Sequence, residues 1–202
     1  MLFSLPYPLV LASTSKYRQA QLARLGVAFT SVKPPYAEEP VVGLALRDLV
    51  RHHARQKALA VGQQAATCNS LILAGDQAAL LHTDVGLQLL GKPGTFDRAV
   101  AQLLQLAGQT HELLTCVVLL APNGLLLERE VVTQLTMRAL TLAEAIAYVT
   151  LDMPLDCAGS YKIECAGPSL FAHIIGDDPT AIEGLPLIAV AEMLRLACRD
   201  QH

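Results

Sequence analysis

Leu9-Val10-Leu11-Ala12-Ser13-Thr14-Ser15-Lys16-Tyr17-Arg18 points most directly to the architecture of the chain. Its apolar half reads as a short buried strand. Three hydroxyls then stop the run, and Ser13, Thr14 and Ser15 are all good helix N-cap residues. The stretch therefore reads as strand, tight hydroxyl loop, helix. A helix N-terminus presents unpaired N–H groups and a positive dipole end, which suits an anion. Lys16 and Arg18 add positive charge there. Capped strand-to-helix turns are common and mostly structural on their own. The phosphate reading gains weight from polar residues set elsewhere in apolar surroundings.

Outward from this stretch, the first helix runs from about Ser15 to Leu25 and stops at Gly26. Pro34-Pro35 and Pro40 fence a short extended segment that holds Glu38 and Glu39. A second helix covers about Leu44 to Val61, with Leu46, Val50, Ala54 and Val61 as its apolar stripe and Arg47, Arg51 and Arg55 on a wet face. Leu71 to Gly75 reads as a central strand that continues past Asp76-Gln77 to Leu81. A turn at Asp84-Val85-Gly86 and the loop Gly91-Lys92-Pro93-Gly94 lead to a third helix, Phe96 to Ala107, capped by Thr95. Leu113–Ala121 and Leu125–Met137 form a hairpin around Pro122-Asn123-Gly124. Thr141 and Glu144 make a capping box for a fourth helix. A loop through Cys157-Ala158-Gly159-Ser160-Tyr161-Lys162 precedes a strand near Leu170–Ile175, and the last helix has Pro186 in its first turn. Hairpins mixed with crossover helices predict an α/β fold: a mixed central sheet flanked by helices, as one domain over residues 1–202.

Of the 202 residues, 52% are hydrophobic and 16% charged, so the chain is globular and core-rich, not disordered. A net charge of −3 gives no general attraction to nucleic acid, and any anion site must be a local cation cluster. The five cysteines are odd in number and contain no C-x-x-C pair. That argues against a disulfide framework or structural zinc and fits a reducing compartment. No signal peptide or membrane-spanning run is visible, so the cytoplasm is the expected location and no membrane partner is expected.

Asp76 is the sharpest single residue, because it interrupts one long apolar strand. An unpaired carboxylate there is costly to bury, so it must be hydrogen-bonded, neutralised or metal-bound. Gly75 beside it permits close backbone approach by a ligand. Glu38 and Asp76 suit a hard divalent ion, since Mg²⁺ commonly takes a carboxylate or two plus substrate phosphates. Lys57 lies beside the apolar stripe of the second helix, where its ammonium either snorkels to water or points into a cleft. Lys92 sits in a Gly-Pro loop, and Lys162 and Glu164 follow a Gly-Ser turn. Glu164 is either a surface charge or an acceptor for donors on a base edge. Together these residues are the inventory for a metal-bridged triphosphate.

Leu11-Ala12-Ser13-Thr14-Ser15-x-x-Arg18, Gly75-Asp76-Gln77, Gly91-Lys92-Pro93, Ala158-Gly159-Ser160-Tyr161-Lys162-x-Glu164 and Gly184-Leu185-Pro186-Leu187 occur in the order and spacing of the Maf family. The chain resembles that family over nearly its whole length, and most closely its YceF-like branch, which acts on 7-methyl-GTP. Gln77, the Lys162-x-Glu164 run and the aromatic Tyr17 favour this branch. The resemblance implies a nucleoside triphosphate pyrophosphatase with two lobes and a cleft between them, a divalent cation (Mg or Mn) as cofactor, and often a homodimer. It implies Asp76 as proton acceptor and Tyr17, Gln77 and Glu164 as specificity residues. Ser13, Ser15, Arg18, Lys57, Lys92 and Lys162 match positions around the phosphates, and Glu38 with Asp76 matches metal positions.

The sequence departs from the pattern in three places. Ala37 stands where the family usually has Asp, Thr115-Cys116 replaces Thr-Gly, and Cys165-Ala166 replaces Gly and an aromatic. Two other readings stay open. One keeps the chemistry with dTTP, UTP or another modified nucleotide as substrate. The other, kept alive by Ala37, is a nucleotide-binding regulator of cell division without turnover.

Overall fold

A computed structural model describes residues 3–199. Its strands pair in the order β2 (Phe29–Ser31), β1 (Leu9–Leu11), β3 (Leu71–Thr83), β5 (Thr110–Leu120), β6 (Leu126–Met137), β7 (Phe171–Ile175), with β4 (Gly86–Leu90) pairing β3. Two compact units make up the chain. Unit 1 comprises the chain up to Asp76, Thr115–Val131 and the chain from Asp178 on; unit 2 comprises Gln77–Leu114 and Val132–Asp177.

In unit 1, β1 (Leu9–Leu11) lies between β2 (Phe29–Ser31) and β3 (Leu71–Thr83), parallel to both, with Leu9 opposite Phe29 and Leu71. A strand with a parallel neighbour on each edge is covered on both faces, which is why β1 is an unbroken apolar run. The hydroxyl loop follows as expected. Ser15 caps α1 (Lys16–Ala23) by accepting a hydrogen bond from the Arg18 N–H. Leu9, Leu11, Leu71 and Leu73 pack with Leu22 of α1 and with Val190, Met193 and Leu194 of α5 (Leu187–Arg199). The buried face of α2 (Leu46–Gly62) is Val50, His53, Ala54, Lys57, Ala58 and Val61, so two polar side chains interrupt an apolar stripe. The opposite face carries Arg47, Arg51 and Arg55, which pair with Glu128 and Glu130 of β6 (Leu126–Met137).

In unit 2, β4 (Gly86–Leu90) runs antiparallel to the second half of β3, and β7 (Phe171–Ile175) antiparallel to the end of β6. α3 (Phe96–Leu106) is capped by Thr95, and α4 (Leu142–Asp152) by the Thr141–Glu144 capping box. The carboxylate of Glu144 accepts from the Thr141 N–H and hydroxyl and from Arg138, which together hold its pKa down near 2. His111 of β5 (Thr110–Leu120) is fully buried, with Nε2 2.9 Å from the Tyr161 hydroxyl. Burial lowers its pKa to about 4.

The structure differs from the sequence reading at several points. β2 and β4 carry no clear alternation, and the sequence reading assigns no element to Phe29–Ser31 or to the stretch from Leu87 to Leu90. Pro186 precedes the last helix instead of lying in its first turn, and its carbonyl accepts from the Val190 N–H. Gly75 does face a close neighbour, but that neighbour is the next strand: a Cβ there would lie 3.3 Å from the Cys116 carbonyl oxygen. Among the described residues no helix is long and apolar enough to cross a membrane.

Candidate functional site

Unit 1 holds most of the sequence-predicted polar residues and brings Lys57, Glu38 and Arg18 to Asp76 or its neighbour Gly75. Strand β3 takes β1 as neighbour at Leu71–Leu73 and β4 at Ala79–Thr83. Asp76 falls in the stretch between, where neither strand pairs. It is 8% exposed. A carboxylate at that depth needs a counter-charge, and α2 supplies it. Lys57 is 7% exposed, and its Nζ donates to Asp76 Oδ1 at 2.6 Å. The snorkelling alternative for Lys57 is thereby excluded. The same ammonium lies 2.5 Å from Glu38 Oε1. Glu38 itself sits on the exposed connection between β2 and α2. Two carboxylates from distant parts of the chain therefore converge on one cation.

Arg18 approaches from α1. Its Nη1 donates to the Gly75 carbonyl at 2.7 Å and its Nε to the Gly184 carbonyl at 3.1 Å. Burial pulls the guanidinium pKa below its ordinary value, while Asp76 and Glu38 act in the opposite direction. Gly184 has φ +115°, a left-handed conformation that favours glycine, and a Cβ there would lie 3.3 Å from Arg18 Nε. Gln21, also buried, locks the same turn: its amide donates to the Thr180 and Leu185 carbonyls and accepts from the Leu185 N–H. Ser13 Oγ accepts from the Ser15 N–H, so both serines order the hydroxyl loop from within. Tyr17 is half-buried on α1.

The remaining candidates belong to unit 2. Gln77 follows Asp76 directly and is half-buried. Lys92 and Glu164 are exposed, and Lys162 is half-buried with Nζ donating to the Asp152 carbonyl at 3.0 Å.

The sequence reading missed a pair that belongs with the first group. Tyr36 Oη lies 2.7 Å from Nδ1 of the buried His53. Burial lowers the His53 pKa, with Asp76 and Glu38 opposing. An aromatic two residues before Glu38, and a histidine one helical turn before Lys57, were the available signals. Among the described residues no three His, Cys, Asp or Glu side chains cluster as a metal cage.

The arrangement offers a buried carboxylate with a fixed partner, a second carboxylate on the same cation, and a hydroxyl loop at a helix N-terminus. A family model described as "Maf-like protein" matches residues 8–197. The 7-methyl-GTP pyrophosphatase of Xanthomonas oryzae pv. oryzae (strain MAFF 311018) is 42% identical over 193 residues, covering 94% of this chain and 96% of the relative. The 7-methyl-GTP pyrophosphatase of Pseudomonas putida is 43% identical over 188 residues, covering 93% and 95%. Among solved structures, the Staphylococcus aureus Ham1 protein aligns with a TM-score of 0.52 at 12% identity, over 92% of this chain and 98% of that one, a likeness of fold alone.

Proposed function

The chain belongs to the Maf family, and from that premise we propose that it hydrolyses 7-methyl-GTP to 7-methyl-GMP and pyrophosphate. The buried Lys57–Asp76 pair carries this reading. Water attacks the α-phosphorus, the α–β anhydride bond breaks, and pyrophosphate leaves. Asp76 accepts the proton of the attacking water. Lys57 engages Oδ1, so Oδ2 is the atom assigned to that proton. The buried pair keeps the carboxylate oriented before substrate arrives, which is where general-base efficiency comes from.

The donor set fits a divalent cation. Glu38 and Asp76 oxygens already meet one positive charge at 2.5 and 2.6 Å, and Mg²⁺ commonly takes one or two carboxylates together with substrate phosphates. Glu38 and Asp76 would hold it. Once bound, such an ion neutralises phosphate charge and polarises the reacting centre. The other roles fall to this chain's own groups. Arg18, Lys57, Lys92 and Lys162 offset charge on the phosphates, most of all as pyrophosphate departs. The hydroxyl loop of Ser13 and Ser15, with the N–H groups that open α1, suits phosphate oxygens.

A 7-methylated guanine is cationic. The Tyr17 ring attracts a cation through its quadrupole, and the Glu164 carboxylate suits the N–H donors on guanine's pairing edge. Glu164 would treat GTP alike, so the discrimination rests on the aromatic face, with Gln77 completing the specificity set. In this reading the protein works in the cytoplasm on free nucleotides, as a homodimer, without nucleic acid or membrane.

The test is pyrophosphate release with Mg²⁺ or Mn²⁺ across 7-methyl-GTP, GTP, dTTP, UTP and CTP. Selective turnover of 7-methyl-GTP, abolished in a folded Asp76→Asn variant, is the expected result. Turnover of another base would overturn the substrate, and near-normal activity in Asp76→Asn would remove the proton acceptor. Binding without turnover at saturating metal would favour the regulator reading, for which Ala37 is the motivating departure.

A further inference from the structure

Between β2 and α2 the chain runs from Val32 to Ala45 without helix or strand, and most of that stretch is exposed. Glu38 lies in it, with its side chain 54% exposed. A carboxylate on such a segment is ordinarily mobile. Two contacts, one through Glu38 and one through Tyr36, join this segment to α2. One is the Glu38–Lys57 ion pair. The other is the hydrogen bond between Tyr36 Oη and His53 Nδ1, at 2.7 Å, with the rings inclined at 55°. Tyr36 and Glu38 are two residues apart, and His53 and Lys57 are one helical turn apart on the buried face of α2. The two contacts therefore run side by side between the same two elements.

We infer that Tyr36 and His53 are positioning residues that hold the Glu38 segment against α2 and so preform the carboxylate pair of Glu38 and Asp76 for its divalent cation. The inference rests on the metal role given to Glu38 in the proposed function. His53 is otherwise a poor tenant for a buried helix stripe. A buried imidazole needs a partner for each ring nitrogen it does not expose, and an aliphatic side chain would fill the stripe without that demand. Tyr36 meets it at Nδ1. The device is a tether, in which a group that never touches the ion fixes the ligand that does. A neutral hydrogen bond of this kind supports an effect of about twofold to tenfold on ion affinity.

The experiment titrates Mn²⁺ alone into the protein and follows bound ion by water-proton relaxation, alongside kcat and KM at saturating metal. Tyr36→Phe keeps the ring and removes the hydroxyl. It is expected to weaken Mn²⁺ binding about twofold to tenfold while KM for nucleotide at saturating metal stays within about twofold. His53→Leu should do the same, and His53→Asn, whose amide falls near Nδ1, should restore part of the loss. In a Glu38→Gln background the Tyr36→Phe change should have no further effect on Mn²⁺. Unchanged Mn²⁺ binding in Tyr36→Phe overturns the inference, as does an equal loss in the Glu38→Gln background, which would mark the pair as purely structural. A wild-type protein that binds no Mn²⁺ overturns it too. Failure to hydrolyse any nucleotide would instead sink the proposed function while leaving the Mn²⁺ result to stand.

Discussion

Replacing Lys57 by Met keeps most of the length of the unbranched side chain and deletes its charge. The side chains of Lys57 and Asp76 are only 8% and 12% exposed, with 2.6 Å between Nζ and Oδ1. That places the contact among buried ion pairs, where removing one partner costs about 3–5 kcal/mol because a charge is stranded. Surface pairs behave differently. Arg51 and Glu130, at 44% and 28% exposure, belong to the class worth about 0–1 kcal/mol. Lys57→Met should therefore destabilise the protein by about 3–5 kcal/mol. At a urea m-value of about 2 kcal/mol/M the midpoint falls by about 2 M. Asp76→Asn should cost less, about 2 kcal/mol, since the amide still accepts a hydrogen bond and Lys57 keeps Glu38. Combining the two changes removes the stranded carboxylate, so the double variant should be more stable than Lys57→Met alone by about 1 kcal/mol, with a coupling energy of about 3 kcal/mol. The chain has no tryptophan, so far-UV circular dichroism is the suitable probe. A loss under about 1 kcal/mol for Lys57→Met, or no recovery in the double variant, would refute the claim that Asp76 depends on this ammonium.

Other perturbations test other parts of the fold. Burial lowers the His111 pKa from its ordinary 6.5 to about 4, so between these limits the unfolded chain binds a proton that the folded one refuses. Stability is complete above pH 6.5 and falls by about 3 kcal/mol as the pH drops to about 4; a His111→Phe variant with the same pH slope in chemical denaturation would exclude this cause. Thr141→Ala dissolves the capping box of α4 and should cost about 1 kcal/mol in urea unfolding, with no change meaning that the cap is idle. Gly184→Ala forces a left-handed φ on alanine and crowds Arg18 Nε. It should cost about 1–3 kcal/mol and raise KM for nucleotide, and a variant with wild-type KM would show that the Gly184 turn does not seat Arg18.

The elements that could be read from the chain are those whose pattern arises locally. The Thr141–Glu144 box and the Thr95 cap place helices on their own, and Leu71–Leu81 announces a buried strand by apolar length alone. Asp76 could be singled out because a carboxylate in such a run demands a partner, and α2 brings that partner in Lys57. What stayed hidden depends on distant neighbours. Phe29–Ser31 is a strand because β1 lies beside it, not because of its own pattern. Gly75 looked like a ligand approach, yet the space it spares is taken by the Cys116 carbonyl. Arg18 could be read as a phosphate cation, but its two carbonyl acceptors, at Gly75 and Gly184, lie 57 and 166 residues away in the chain. Tyr36 and His53 offered no motif, since neither residue type alone marks a contact.

The core of unit 1 draws on both early and late parts of the chain, and this sets a timetable for synthesis. Leu9, Leu11, Leu22, Leu71 and Leu73 are made early, while Leu185, Leu187, Val190, Met193 and Leu194, which cover them, are made late. At about 5–20 residues per second, roughly 6–24 s separate Leu73 from Leu194. For that interval a nascent chain holds its first strands without the helix that shields them, which is when a chaperone has most to protect. The Gly184 carbonyl that seats Arg18 leaves the ribosome in the same late stretch, so the guanidinium finds its place only after the elements around it have been waiting.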